Sequence, residues 1–422
     1  MRFDPQAVRD AVAAHRSEAQ QLLCDLVAIP SPPGQEAAVL ARAEQAFAPL
    51  ADIRRVPMTD ALKQDPEYSD SMPDLDYEGR YNLRLSLRRP SPSWRAPKGP
   101  AGKSLLLNAH LDAVPPSQGQ ESPFRPTLRD GAVFGRGACD AKGQAATLYL
   151  AMAALKDLGV PLGGDLVAHL VVEEELGGNG TLAMVRAGEK ADACIVLEPT
   201  DLKILIRQRG AVWFRVNLRG KPGHSGQAVV TRNAIDMAVR VIDILRAYHK
   251  QLLDASRSEP LFDKFPNPMP LTIGQLHAGN WPSIAPGEAM LEGVMGFLPN
   301  RTAAAVMQEI TARIAHEGGE LIAGNFDTHF TYRHDASVLA EDHPLVLALQ
   351  AAGRGQGCNL SVDAMTASCD AVFYNHVLGI PTLVFGGGSL SVAHGNNEHM
   401  PLGDLAAAAE ILTNLALAWC GA

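Results

Sequence analysis

Five residues spread from position 110 to position 394 each sit in a short motif of the kind that holds a metal ion. They are His110 in NAHLDAV, Asp140 in GRGACDAKG, Glu175 in EEELGGNG, Glu198 in VLEPT and His394 in VAHGNNE. Two imidazoles and three carboxylates supply the donors that borderline-soft divalent ions take, and they serve two ions if one carboxylate bridges. Asp140 lies between glycines that let the backbone approach an ion, so it is the candidate bridge. The alternative for Asp140 is a cap on the helix expected from 143. Asp112, two residues after His110, suits the role of holding that imidazole's other ring nitrogen. Glu174, beside a ligand, is the candidate general base. Together these residues point to metal-assisted hydrolysis.

The triplet Glu173–Glu174–Glu175 ends an apolar run. Three adjacent carboxylates repel one another in water, and two nearby cations turn that repulsion into attraction. Read as an extended segment, the triplet sends neighbouring side chains to opposite sides, which would give them different roles. His224, in GKPGHSG, lies far from the other residues. It is either a surface histidine or a hydrogen-bond donor to a developing oxyanion, reached from another subunit. Cys139, next to Asp140, reads as a small buried residue.

These residues need a scaffold. Residues 5–28 and 35–48 have helical spacing, residues 57–80 read as a long surface loop, and residues 88–102 as a Pro-rich connection. Apolar runs at 104–109, 165–172 and 193–197 end at His110, at the glutamates and at Glu198, with helical patterns at 143–158 and 179–189 between them. That alternation predicts a mostly parallel sheet covered by helices, with a site beyond the carboxyl ends of its strands. The pattern changes near 208. A β-α-β-β-α-β order follows: a strand at 212–220, a helix at 231–249 with Ile235, Val239, Ile242 and Leu245 on its apolar stripe, strands at 270–276 and 289–297, a helix at 302–316, and a strand at 325–332. This is the ferredoxin-like order. The α/β pattern returns with a helix at 343–354, a strand at 381–385 and a helix at 403–419. The expected division is 1–207 and 333–422 for the metal-binding domain, with 208–332 inserted.

Bulk properties narrow the partners. The net charge of −9 argues against nucleic acid and an anionic membrane surface. No run of about 18 apolar residues predicts a membrane span. The six cysteines have wide, irregular spacing, which fits free thiols and a cytoplasmic location.

Taken together, the motifs resemble the acetylornithine deacetylase, succinyl-diaminopimelate desuccinylase, aminoacylase and carboxypeptidase G family of dinuclear metallohydrolases, from RYNL at 80–83 to NNEHMPL at 396–402. The resemblance implies a zinc-peptidase α/β domain, a mixed sheet with helices on both faces, and an inserted ferredoxin-like lid that forms a homodimer. It implies that His110 and Glu198 hold one ion, Glu175 and His394 the other, and that Asp140 bridges them. It places Glu174 on the base, Glu173 on the first acid of the triplet, and His224 on the lid histidine that enters the partner's site. Asp370, in TASCDAVFY, resembles a segment lining the substrate side. Many relatives grip a substrate carboxylate with a lid arginine, where this chain has Val294, Met295 and Gly296.

The expected activity is hydrolysis of an amide C–N bond in a small molecule, with an N-acyl amino acid as first choice of substrate. It uses two divalent ions, zinc first and cobalt or manganese next, with Glu174 taking the proton of the attacking water. The alternatives are a carboxypeptidase or dipeptidase, and an aminohydrolase of a non-peptide, aromatic amine. A silent ligand-binding relative would have lost a ligand or the base, and none is lost here.

Overall fold

The computed structural model describes residues 4–72, 74–87, 102–227 and 230–421. The region expected to be a Pro-rich connection falls almost wholly outside them.

A nine-stranded mixed sheet organises the two ends of the chain. Its order is Ala51–Pro57, Tyr81–Leu87, Leu166–Val171, Leu105–His110, Ala193–Val196, Thr382–Val384, Ile204–Gln208 and Ser337–Val338, with Val362–Met365 also paired to Ile204–Gln208. The central strands Leu166–Val171, Leu105–His110, Ala193–Val196 and Thr382–Val384 are parallel. Leu105–His110 and Leu166–Val171 are buried at every position, as parallel strands covered by helices require. The strand Ala51–Pro57 and its neighbour Tyr81–Leu87 were not expected. The former carries Arg54 and Arg55 on a half-exposed edge, so its apolar signal is thin.

Helices Pro5–Ala14, Arg16–Ala28 and Leu402–Trp419 pack on Lys142–Leu158, which lies against the strand ending at His110. Leu402–Trp419 is apolar and long enough to cross a membrane, but two-thirds of it is buried in this core. Residues 57–80 are a correction to the expected surface loop. Met58, Tyr68, Ser69, Leu75 and Tyr77 are buried, because the segment folds back over the glutamate triplet.

A second, antiparallel sheet has the order Leu271–Ala278, Glu288–Phe297, Gly210–Arg219, Phe326–His334. Numbered along the chain its strands run 2-3-1-4, the ferredoxin-like arrangement. Helices Ala234–Ala255 and Ala303–Glu317 pack against it and enclose a separate apolar core. The expected stripe on the first helix is corrected. Met237, Val241, Ile244, Leu245, Tyr248 and Leu252 are buried, whereas Ile235 and Val239 are 39% and 51% exposed. The two stripes share Leu245 but otherwise run about one residue apart, roughly 100° around the helix, so spacing alone did not separate them.

Candidate metal centre

Three adjacent parallel strands deliver the site. The strand Leu105–His110 ends on His110, Leu166–Val171 leads to the glutamates, and Ala193–Val196 leads to Glu198. The fourth parallel strand opens into the loop that carries His394.

His110 is buried, with Nε2 2.9 Å from Asp140 Oδ1 and 3.9 Å from Glu198 Oε1. His394 Nε2 is 3.3 Å from Asp140 Oδ2 and 3.1 Å from Glu175 Oε1. Asp140 thus turns one carboxylate oxygen to each imidazole. The side-chain atoms of His110, Asp140 and Glu175 converge closely enough to hold one ion. Asp140 does not cap the following helix, whose N-cap is Ala141 with no side-chain hydrogen bond.

Behind His110, Nδ1 lies 3.1 Å from the Asp112 carbonyl oxygen and 3.3 Å from its Oδ1, while Asp112 Oδ2 accepts from Glu175 N at 3.1 Å. One carboxylate therefore braces both a candidate ligand and the turn that carries another.

The triplet is not extended. Glu173 has φ 64°, and Glu174–Leu176 form a single 3₁₀ turn. Left-handed backbone costs a non-glycine residue roughly 1–2 kcal/mol. Here it is held by Gly178 N, which donates to the Glu173 carbonyl at 2.7 Å. The turn points Glu173 into the protein, where it is fully buried, and leaves Glu174 and Glu175 half-buried.

The electrostatics fit cations. Burial and repulsion from Glu198, against attraction from His110, push Glu174 well above the usual carboxylate range. Burial and Asp140 likewise raise Glu198, and burial and Asp140 raise Glu175. Hydrogen bonds to Asp140 and Glu175 push His394 up to about 10. Burial works to raise Asp140, but the two imidazoles outweigh it and hold the carboxyl low. Several carboxylates facing two ring nitrogens at these separations form a donor set that divalent cations would neutralise.

Two residues that support the site were missed in the sequence. Arg136 and Glu398 form a buried ion pair. Glu398 Oε1 accepts from the backbone of Cys139 and Asp140 at 3.2 Å each, and Arg136 Nη2 donates to the His394 carbonyl at 3.2 Å. The available signal was their position inside the GRG and GNNE motifs. Cys139 is buried, as expected. Asp370 is also buried, accepting from Thr181 Oγ1 at 2.6 Å and Asn108 Nδ2 at 3.2 Å, and burial pushes it up to about 6.

His224 is not brought to this cluster within the chain. It is exposed, in a two-residue strand paired with Ile284–Ala285, and its Nδ1 accepts from Gly226 N. Val294, Met295 and Gly296 lie in the strand Glu288–Phe297, with Met295 fully buried in the smaller core. Arg209, between the two sheets, donates Nε to the Thr366 carbonyl at 2.6 Å, and no carboxylate pairs with it among the described residues.

A family model described as peptidase family M20/M25/M40 matches residues 106–418. The chain belongs to this family. It is 25% identical over 342 residues to the N-formyl-4-amino-5-aminomethyl-2-methylpyrimidine deformylase of Bacillus subtilis, covering 75% of this chain and 79% of that one. It is 27% identical over 337 residues to the acetylornithine deacetylase of Myxococcus xanthus, covering 77% and 83%. The solved structure of a dipeptidase from Saccharomyces cerevisiae superposes over 100% of both chains with a TM-score of 0.76 at 14% identity, which shows a shared fold. The matched relatives are hydrolases of amide C–N bonds, and this M20 chain is an enzyme of that kind.

Proposed function

We propose that this M20 enzyme removes the acyl group from an N-acyl amino acid at a pair of divalent ions, zinc first and cobalt or manganese next. His110 and Glu198 would hold one ion, Glu175 and His394 the other, and Asp140 both. The observation that carries this reading is Asp140, whose two oxygens face two different imidazoles at 2.9 Å and 3.3 Å. When bound, the ions supply Lewis acidity and a more acidic water.

The chain's own groups do the rest. Glu174, which burial and its neighbours push well above the usual carboxylate range, lies beside the candidate ligand Glu175 and takes the role of general base. It accepts the proton of the attacking water as the new C–O bond forms. It then gives that proton to the leaving nitrogen as the C–N bond breaks, leaving a carboxylate and an amine. Asp112 keeps His110 oriented. His224 of a second copy donates to the oxyanion.

The homodimer would form through the inserted unit, 208–332, between the two parts of the catalytic domain, 1–207 and 333–422. Leu271–Ala278 is an edge strand of the smaller sheet, and an uncovered edge invites pairing. Leu276, Trp281 and Ile284 are 42%, 65% and 44% exposed near it, with Ile235 and Val239 on the adjoining helix. The six unpaired cysteines fit a cytoplasmic enzyme.

A substrate carboxylate would find its cation in Arg209, whose guanidinium pairs with no carboxylate among the described residues. A second reading, an amide or amine of a non-peptide aromatic compound, is favoured by the aliphatic Val294 and Met295 where a gripping arginine is expected. The test is amine release from a panel of N-acetyl, N-succinyl and N-formyl amino acids, dipeptides and aryl amides. Release from the acyl amino acids supports the first reading, and release from aryl compounds alone supports the second.

A further inference from the structure

Glu174 is the proposed base, yet no hydrogen bond or ion pair among the described residues holds its carboxylate. Its position must come from its backbone. That backbone is one tight turn, entered through the left-handed Glu173 and left through Gly177 and Gly178, both at positive φ. A turn of this kind persists only where its surroundings over-determine it.

The surroundings are residues 65–72 and 74–80. The fully buried Glu173 carboxylate accepts from Tyr77 Oη at 2.8 Å, from Asn179 Nδ2 at 3.1 Å, and from Arg80 Nη1. Arg80 Nη2 donates to the buried Glu36 at 2.7 Å, and the Arg80 guanidinium lies over the Tyr77 ring. Asn179 ties the same segment again: its Oδ1 accepts from Ser69 N at 2.9 Å and its Nδ2 donates to Ser69 O at 3.0 Å. The Ser69 side chain also lies against Gly177, where an added Cβ would sit 2.4 Å from Ser69 Oγ.

The other end of the segment is fastened to the smaller sheet. Arg333, on the strand Phe326–His334, donates Nη2 to the carbonyls of Tyr68 at 2.6 Å and Pro66 at 3.2 Å. His329 of the same strand lies 3.8 Å from Asp70. The neighbouring Tyr332 ring packs against Gly177.

We infer that residues 65–72 and 74–80 form a strap that positions the base. Tyr77 and Arg80 fix the Glu173 carboxylate, Glu173 sets the turn that aims Glu174, and Arg333 ties that setting to the smaller sheet. This rests on Glu174 being the base. Tyr77, Arg80 and Glu173 are positioning residues: no hydrogen bond or ion pair among the described residues joins them to a candidate ligand, and they reach the reaction through one peptide turn.

A residue that only aims the base should change the rate of the chemical step and leave substrate and metal binding alone. The experiment measures kcat, KM, bound metal and Tm for Tyr77→Phe, Arg80→Met, Arg80→Lys and Arg333→Met beside Glu174→Gln, all in the metal-loaded full chain. Tyr77→Phe and Arg80→Met are expected to lower kcat about tenfold or more, with KM within about twofold and metal content unchanged. Arg80→Lys, which keeps a cation beside Glu173, should recover a large part of the loss. Arg333→Met should lower kcat about threefold with KM unchanged.

Wild-type kcat in Tyr77→Phe and Arg80→Met, with Glu174→Gln inactive, would overturn the strap and leave the base intact. So would a fall in kcat that follows loss of metal. An active Glu174→Gln would instead remove the base assignment itself. If Arg80→Met fails to fold, Tyr77→Phe decides alone, since it deletes a single oxygen from a ring that stays packed. Unchanged kcat in Arg333→Met would overturn the tie to the smaller sheet.

Discussion

At the scale of the residue, the same side-chain type does different work because its surroundings differ. Glu173 is sealed against Tyr77, Arg80 and Asn179, Glu175 faces His394, and no hydrogen bond or ion pair among the described residues holds the Glu174 carboxylate. Glu174→Gln keeps the shape and loses the proton acceptor, so turnover should fall by at least about a hundredfold while metal content, measured by elemental analysis, stays unchanged. A second residue-scale prediction concerns pH and lies away from the site. Burial works to raise Glu189, but hydrogen bonds from His169 and Arg84 outweigh it and take the carboxyl down to about 2 from 4.5. A depressed folded value means that the stabilisation is present above the unfolded value and is lost as pH falls through the folded one. Glu189→Gln should therefore cost about 1–3 kcal/mol at pH 7, and the cost should shrink as pH approaches 2. Urea titrations of both proteins across that range check it. All five candidate ligands were legible in the sequence, because each closes a strand or sits in a glycine-rich loop. Arg136 and Glu398 were not, because a buried ion pair has no local pattern: its partners are 262 positions apart.

At the scale of the element, the sheet works as a ruler. Three adjacent parallel strands end side by side, so residues 65 and 88 positions apart in sequence meet in space. The apolar runs made those strands legible. The edge strand Ala51–Pro57 was not, because its exposed Arg54 and Arg55 thin its apolar signal, and the fold of residues 57–80 was not, because its burial comes from tertiary contacts to Asn179 and Glu173 rather than from any period. The triplet's turn was misread for the same reason: strand continuation is the local expectation, and the buried contacts to Glu173 override it. The Arg136–Glu398 pair joins the loop before Lys142–Leu158 to the loop before Leu402–Trp419, and so holds Asp140 beside His394. Removing one partner leaves a buried charge, so Glu398→Gln should cost about 3–5 kcal/mol and lower metal occupancy. Denaturant melts and metal titration of the variant measure both, and full occupancy with unchanged stability would refute the role.

At the scale of the whole molecule, the five candidate ligands and the proposed base gather beyond the strand ends of the larger sheet, while His224 lies on a separate two-stranded sheet. Their separation within the chain is what a second copy would close. The inserted unit was legible as a ferredoxin-like order because its strands alternate. Its exposed apolar helix face was not, since a stripe facing a partner and a stripe facing the core carry the same residues. Trp281→Glu and Ile235→Glu together should shift the sedimenting species from dimer to monomer and lower activity. Mixing His224→Ala chains with Glu174→Gln chains should restore part of the activity that each lacks, because a mixed dimer holds one complete site.

The central claim is that this M20 chain hydrolyses an amide with two ions held by these residues and with Glu174 as the base. The most direct measurement is amine release from an N-acyl amino acid by the wild type, by the chelated and zinc-reloaded wild type, and by Glu174→Gln, with metal counted in each sample. The expected result is two ions per chain, turnover lost on chelation and regained on reloading, and two ions without turnover in Glu174→Gln. Near-normal turnover in Glu174→Gln, or undiminished turnover after the ions are removed, would contradict it.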